Sequence, residues 1–351
     1  MSDTTILEQT ASRPFRIRPN EYDVTSLVCV ASADDVRDAV QAIFQQIYPG
    51  QSFDILWVAY HDFHRLFNGQ YLDYLGCDTV YHDIQHTLDM SLAMARLLAG
   101  YEKSAAPADR LGHERAVVGM IAALFHDSGY IRRRSETNVL NGAEFTGYHV
   151  TRSAEFLRRY LPQIGLANQV PVAAQVVHFT GYEMSLDDIE LDDPKDSLMG
   201  HLLGTSDLMA QMADRCYLEK CRDRLYAEFV LAGVATRPVP ADAKIQYESG
   251  IDLLRQTPGF FRQSVRDRLE SKFNRAFRYT EAMCGGRNPY FESMEQNLAH
   301  LDRVIEAEDW ARLRRQPPCF TVLEEPLKHV SGLVSRYLAR FRMPAASAAP
   351  A

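Results

Sequence analysis

No stretch of this chain approaches the roughly 18 uninterrupted apolar residues of a membrane helix, so no spanning segment is expected. Cysteine is sparse. Cys29, Cys77, Cys216, Cys221, Cys284 and Cys319 are scattered over 351 residues without a CxxC pair. That argues against a thiolate zinc site or a disulfide frame, and the six read as reduced thiols packed in a core. A basic excess is missing as well. Lys and Arg number 38 against 46 Asp and Glu, for a formal net charge of −8. Broad binding to nucleic-acid polymers or anionic membranes is therefore not expected, although a local basic patch can still hold a phosphate. The opening "MSDTTILEQTASRPFRIRPN" lacks a basic start followed by an apolar core. No secretory signal is expected, and the expected location is cytoplasmic. Repeats are absent, and convincing strand patterns nearly so; "TSLVCVAS" reads as a short strand or a buried turn of helix.

What is present is helical periodicity, with 46% hydrophobic residues to build a sizeable core. Ser32, with Asp35 three residues on, predicts an N-cap for "ADDVRDAVQAIFQQIY", which "PGQS" breaks. Further helices are predicted over "FDILWVAYHDFHRLFNGQYLDYL", "HDIQHTLDMSLAMARLLAGYE" and "RAVVGMIAALFHD", the last apolar nearly all round and so central. "HVTRSAEFLRRYL" is predicted helical and stopped by Pro162. "VPVAAQVVHFTGYE" follows, with Pro171 in its first turn, and then the acid-rich loop "SLDDIELDDPKD". A long helix or two consecutive ones are expected from "SLMGHLLGTSDLMAQMADRCYLEKCRDRLYAEFVLAG", then helices around 262–283 and 290–308, a linker "RRQPPCF", and a last helix "EPLKHVSGLVSRYLARFR". The expected architecture is all-α: one compact multi-helix domain over residues 20–340, after a mobile segment 1–19 and before a disordered tail 341–351.

The polar groups that such a core has to explain carry the functional reading. In "AALFHDSGY" the most apolar helix runs straight into His126 and Asp127, and buried charge is costly without a partner. His82 and His86 in "YHDIQH" stand four apart, a spacing that puts both rings on one face of a helix. His149 and His178 lie at helix ends, and Asp207 sits among Leu203, Leu208 and Met209. The set His86, His126, Asp127, His149, His178 and Asp207 consists of imidazole and carboxylate alone, which suits iron, manganese, zinc or magnesium. With Asp127 bridging, it can hold two divalent ions about 3.5–4 Å apart. A third HD pair, His61-Asp62 beside His64, reads as a surface or supporting pair.

In this order and context the blocks resemble the HD-domain superfamily of metal-dependent phosphohydrolases over roughly residues 75–215. "YHDIQH", "AALFHDSGY" and "GTSDLMAQ" look like the blocks of cyclic nucleotide phosphodiesterases, while His149 and His178 resemble the fuller histidine set of HD-GYP domains. The chain departs from the first pattern at Tyr130, where a histidine is usual, and from the second in lacking a GYP motif after His178. A counterpart of the purine-clamping glutamine of the phosphodiesterases is also missing. The resemblance implies an HD-like helical bundle with further C-terminal helices. It implies an enzyme that hydrolyses a small phosphoester, of a nucleotide or cyclic nucleotide, with Asp127 in the catalytic centre and His82 as general acid. Arg132 and Arg133, next to Arg134, are the residues expected to meet the phosphate. Two alternatives share the ligand set: a diiron oxygenase similar to myo-inositol oxygenase, and a degenerate domain that binds without turnover. "CRDRLYAEF" and "SKFNRAFRY" are expected to line the core, a substrate pocket or a homodimer face.

Overall fold

The computed structural model describes residues 18–235 and 247–342. Apart from Arg18, Pro19 and residues 341–342, the N-terminal segment 1–19 and the tail 341–351 lie outside the described residues. Among those described, the chain is all-α. There is no strand, only isolated bridges between Tyr22 and Cys29 and between Tyr74 and Arg133. No helix among them is long and apolar enough to cross a membrane, and all six cysteines are free.

The first two helices, α1 (Ala33–Ile47) and α2 (Asp54–Phe67), start the bundle. Ser32 caps α1 as its sequence predicts, its hydroxyl accepting the Asp35 N–H at 3.2 Å. Helix α2 is shorter than expected and stops at Phe67. Gly69 follows at φ +69°, and a Cβ there would meet the Leu75 carbonyl at 2.6 Å, so the chain turns back instead of continuing to residue 75.

The central element is α3 (Ile84–Ser104), buried on nearly every side. It was expected to begin at His82. In fact the Asp83 side chain accepts the N–H groups of Gln85 (3.1 Å) and His86 (3.2 Å), which caps the helix and leaves His82 in the preceding turn. The shared-face argument for His82 and His86 is therefore corrected. Against α3 pack α4 (His113–Phe125) and, through a later capped turn at Asp193, α7 (Pro194–Ala213). Between them run α5 (His149–Gln163) and α6 (Val170–Val176); Pro162 lies inside the last turn of α5, where it cannot donate to the carbonyl four residues back, and the helix ends one residue later. A 3-10 turn over Val177–Thr180 replaces the predicted end of α6.

The long helix expected after residue 197 is broken at Asp214. It resumes as α8 (Tyr217–Lys220) and passes through a π-helical turn, Cys221–Leu225, into α9 (Tyr226–Leu231). The helix expected at 262–283 is replaced by α10 (Gly250–Phe260), two π turns and a 3-10 helix over Ala276–Ala282. Helices α11 (Pro289–Ala307) and α12 (Pro326–Arg342) follow the predicted pattern. "RRQPPCF" is no slack linker. Arg224, in the π turn, binds the carbonyls of Pro317 and Pro318, and the Phe320 N–H donates to Asp83 at 3.2 Å. The C-terminal strap is thereby tied to the turn that carries His82.

Candidate metal centre

Three core helices converge on one buried point. Helix α4 ends at Phe125 and delivers His126 and Asp127, α3 delivers His86 in its first turn, and α7 delivers Asp207. His86 Nε2 lies 3.5 Å from Asp127 Oδ2 and 3.3 Å from Asp207 Oδ1. His126 Nε2 is 3.1 Å from Asp127 Oδ2 and 3.8 Å from Asp207 Oδ1. All four side chains are buried, the most exposed of them at 9%. One donor atom from each of His86, His126 and Asp127 falls within 4.8 Å of the others, so the group can hold a metal ion.

The hydrogen bonding fits a cation. The Ala123 carbonyl is 2.9 Å from His126 Nδ1 and takes its proton, which leaves Nε2 as the lone-pair nitrogen. That Nε2 and Asp127 Oδ2 are fully enclosed and have no hydrogen-bond partner. Two orphaned acceptors facing each other in a core are explained by a positive charge between them. Burial alone would push His126 down, but Asp127 and Asp207 outweigh it and raise it to about 9. Burial likewise would push Asp127 up, yet the His126, His82 and His86 rings hold its carboxyl far below the usual range.

The other oxygen of Asp127 faces a second histidine. His149 Nε2 is 3.7 Å from Asp127 Oδ1. Its Nδ1 is 2.9 Å from the Thr146 carbonyl and 3.3 Å from Glu183, again leaving Nε2 free. His178, on the 3-10 turn, is buried but forms no ion pair with Asp127 or Asp207, and burial pushes its ring below the usual histidine value.

His82 stands beside the cluster, its ring centre 5.9 Å from that of His86. Glu228, on α9, holds it: Oε2 lies 2.6 Å from His82 Nδ1, while Oε1 accepts the Tyr81 N–H at 2.6 Å. Burial pushes His82 down, and Glu228 more than restores it, so the ring ends above its ordinary value. Tyr130 stacks on His82 at 4.5 Å and on His149 at 4.3 Å, filling the space between them. The histidine missing from the sequence pattern is thus replaced by a spacer.

The arginines expected at the phosphate have other partners. Arg132 binds Asp78 at 2.7 Å and the Val139 carbonyl at 2.7 Å, bracing the loop before His82. Arg133 lies over the Tyr74 ring. The His61-Asp62 pair is a loose contact of 3.7 Å with the imidazole 56% exposed. Sequence reasoning missed Glu228 and Glu183. The one signal for Glu228 is a lone acid inside the apolar run "AEFVL". Comparison with family models, curated proteins and solved structures gave no match.

Proposed function

We propose that this chain is a metal-dependent phosphohydrolase of the HD type, acting on a phosphoester of a nucleotide or cyclic nucleotide. The observation that carries the proposal is the pairing of a cation-ready cluster with a separate, carboxylate-held imidazole beside it. Divalent ions held by the cluster would polarise phosphoryl oxygens and make hydroxide available near neutral pH. Everything else falls to the chain. Asp127 offers Oδ2 to the side of His86 and His126 and Oδ1 to the side of His149, which supports a bridging carboxylate and a two-ion site. His82, with Nδ1 against Glu228, turns its Nε2 away from that carboxylate and can deliver a proton to the leaving oxygen. Glu228 shifts the His82 ring above its ordinary value, which favours the protonated form.

The same donor set suits iron, so a diiron oxygenase is the second reading. The Glu228–His82 pair favours hydrolysis, because a leaving alkoxide needs a proton and His82 is held where it can give one. The test is elemental analysis of the purified protein, a panel of phosphomonoesters, cyclic nucleotides and dinucleotides, and an oxygen electrode. Metal with phosphate release supports the hydrolase. Iron with oxygen uptake and no phosphate release replaces it with the oxygenase.

A further inference from the structure

One buried carboxyl near the cluster has an oxygen without a partner. Asp89 sits three residues after His86 on α3, on the same helix face and about 4.5 Å further along the axis. It is only 9% exposed, and its Oδ1 is fully enclosed with no hydrogen-bond partner. The cations around it are engaged elsewhere: Arg96 with Asp23 at 2.7 Å, Lys220 with Asp214 at 2.5 Å, Arg18 with the Ala213 carbonyl at 2.7 Å. A buried acceptor left without a partner is costly and persists where function needs it.

Asp89 lines a cavity of about 20 Å³ whose wall also includes Tyr22, Tyr81, Gln85, His86 and Gln211 and the charged Asp214, Arg215 and Lys220. The amides are already used. Gln85 joins the Asn20 carbonyl and Lys220 at 3.1 Å each, and Gln211 accepts from Tyr81 at 3.3 Å and reaches Asp207 at 3.5 Å. Asp89 is thus a carboxylate in that wall with an oxygen to spare. Burial first, and Asp214 and Asp23 after it, push its carboxyl up to about 7 against the opposing pull of Arg18 and Arg96. The space admits one group of about the size of a water, not a ring. Aromatic side chains in the wall suit a cationic or polarised N–H group.

We infer that Asp89 receives an amino or ammonium nitrogen of the ligand whose phosphoryl end lies at the His86–His126–Asp127 cluster, which makes Asp89 a specificity-determining residue. This rests on the phosphohydrolase reading for the phosphoryl end alone. The nitrogen can belong to an alkylammonium or to the exocyclic amine of a base, and both chemistries are tested.

The test uses the full-length, metal-loaded protein and two matched pairs. One is phosphoethanolamine with ethyl phosphate. The other is cyclic adenosine monophosphate with its analogue lacking the 6-amino group. Wild-type protein is expected to favour the amine of one pair by about tenfold or more in kcat/KM, and which pair identifies the source of the nitrogen. Asp89→Asn is expected to lose that preference with its metal content unchanged. Its melting temperature should be equal or higher, since a partnerless buried charge is removed; a merely structural Asp89 would lower it. Equal treatment of both pairs by wild type, or a preference that survives in Asp89→Asn, overturns the inference. Where no phosphoester is turned over, equilibrium binding of the same four compounds decides. Amine-selective binding without turnover removes the hydrolase reading and keeps Asp89 as a nitrogen acceptor. Turnover without amine selectivity does the reverse, and binding of none of the four overturns the inference.

Discussion

Glu228 and His82 are 146 residues apart in the chain, and their side chains meet at 2.6 Å. The same carboxylate takes the Tyr81 N–H, so it fixes the ring of His82 and the backbone that carries it. His82→Ala is expected to retain metal and lose about 10²–10⁴-fold in kcat, the usual contribution of a general acid. Glu228→Gln should lose about 10–100-fold, again with metal retained, because it orients His82 and is not one of the ion-facing groups. Metal content beside kcat checks both. Loss of metal in His82→Ala would mean that the roles of His82 and His86 are exchanged.

Cation binding should appear as stability. His126 Nε2 and Asp127 Oδ2 have no partner in the folded chain, so an ion between them stabilises the native state and finds no equivalent site in the unfolded one. At a hundredfold excess over Kd the gain is about 2.7 kcal/mol. Thermal unfolding with and without added Mn²⁺ or Zn²⁺ is expected to show an upward shift in wild type. The shift should be absent in His126→Ala and in Asp127→Ala.

Gly129 lets α5 approach the end of α4. A Cβ on it would stand 1.8 Å from the His149 carbonyl oxygen, and its own N–H donates to Ser153 at 2.9 Å. Gly129→Ala must therefore push back the helix start that carries His149, at a cost of about 1–3 kcal/mol or more. Gly147, where a Cβ would meet nothing within 4 Å, is the control. Gly147→Ala should leave the melting temperature unchanged and Gly129→Ala should lower it.

Acid should unlock the N-terminal turn from the core. Burial alone would raise the Asp23 carboxyl, but Arg96, the Val28 N–H and Thr25 outweigh it and hold it below its ordinary value of 3.8. A carboxyl depressed on folding adds stability that is complete above its unfolded value and is lost as pH falls through the folded one. The contribution of Asp23 is thus expected to be constant above about pH 5 and to be lost below about pH 4, seen in chemical denaturation as a falling acid limb. Asp23→Asn leaves Arg96 buried without its partner at 2.7 Å, and is expected to cost about 3–5 kcal/mol at neutral pH while flattening that acid limb.

Local features were legible in the sequence, and long-range pairings were not. The Ser32 cap, the apolar α4 and the arrival of His126-Asp127 at its end follow from neighbours in the chain. The sequence pattern starts α3 two residues too early, at His82, because Asp83 reads as a helical residue until its side chain is seen capping Gln85 and His86. Arg132 read as a free phosphate clamp because Asp78, its partner, lies 54 residues earlier. The region after residue 250 has helical periodicity, yet its π turns shift the register in a way that no 3.6-residue pattern registers. Glu228 carried no signal beyond its apolar neighbours, since only the folded chain brings α9 against the turn at His82.

The most direct test of the central claim is anomalous X-ray diffraction from crystals grown with Mn²⁺ or Zn²⁺ and measured at that metal's absorption edge. The account expects a peak within about 2.0–2.3 Å of Nε2 of His86 and His126 and of carboxylate oxygens of Asp127 and Asp207, with a second peak on the His149 side of Asp127. Occupied metal elsewhere, with these four side chains ordered and no peak among them, would contradict it.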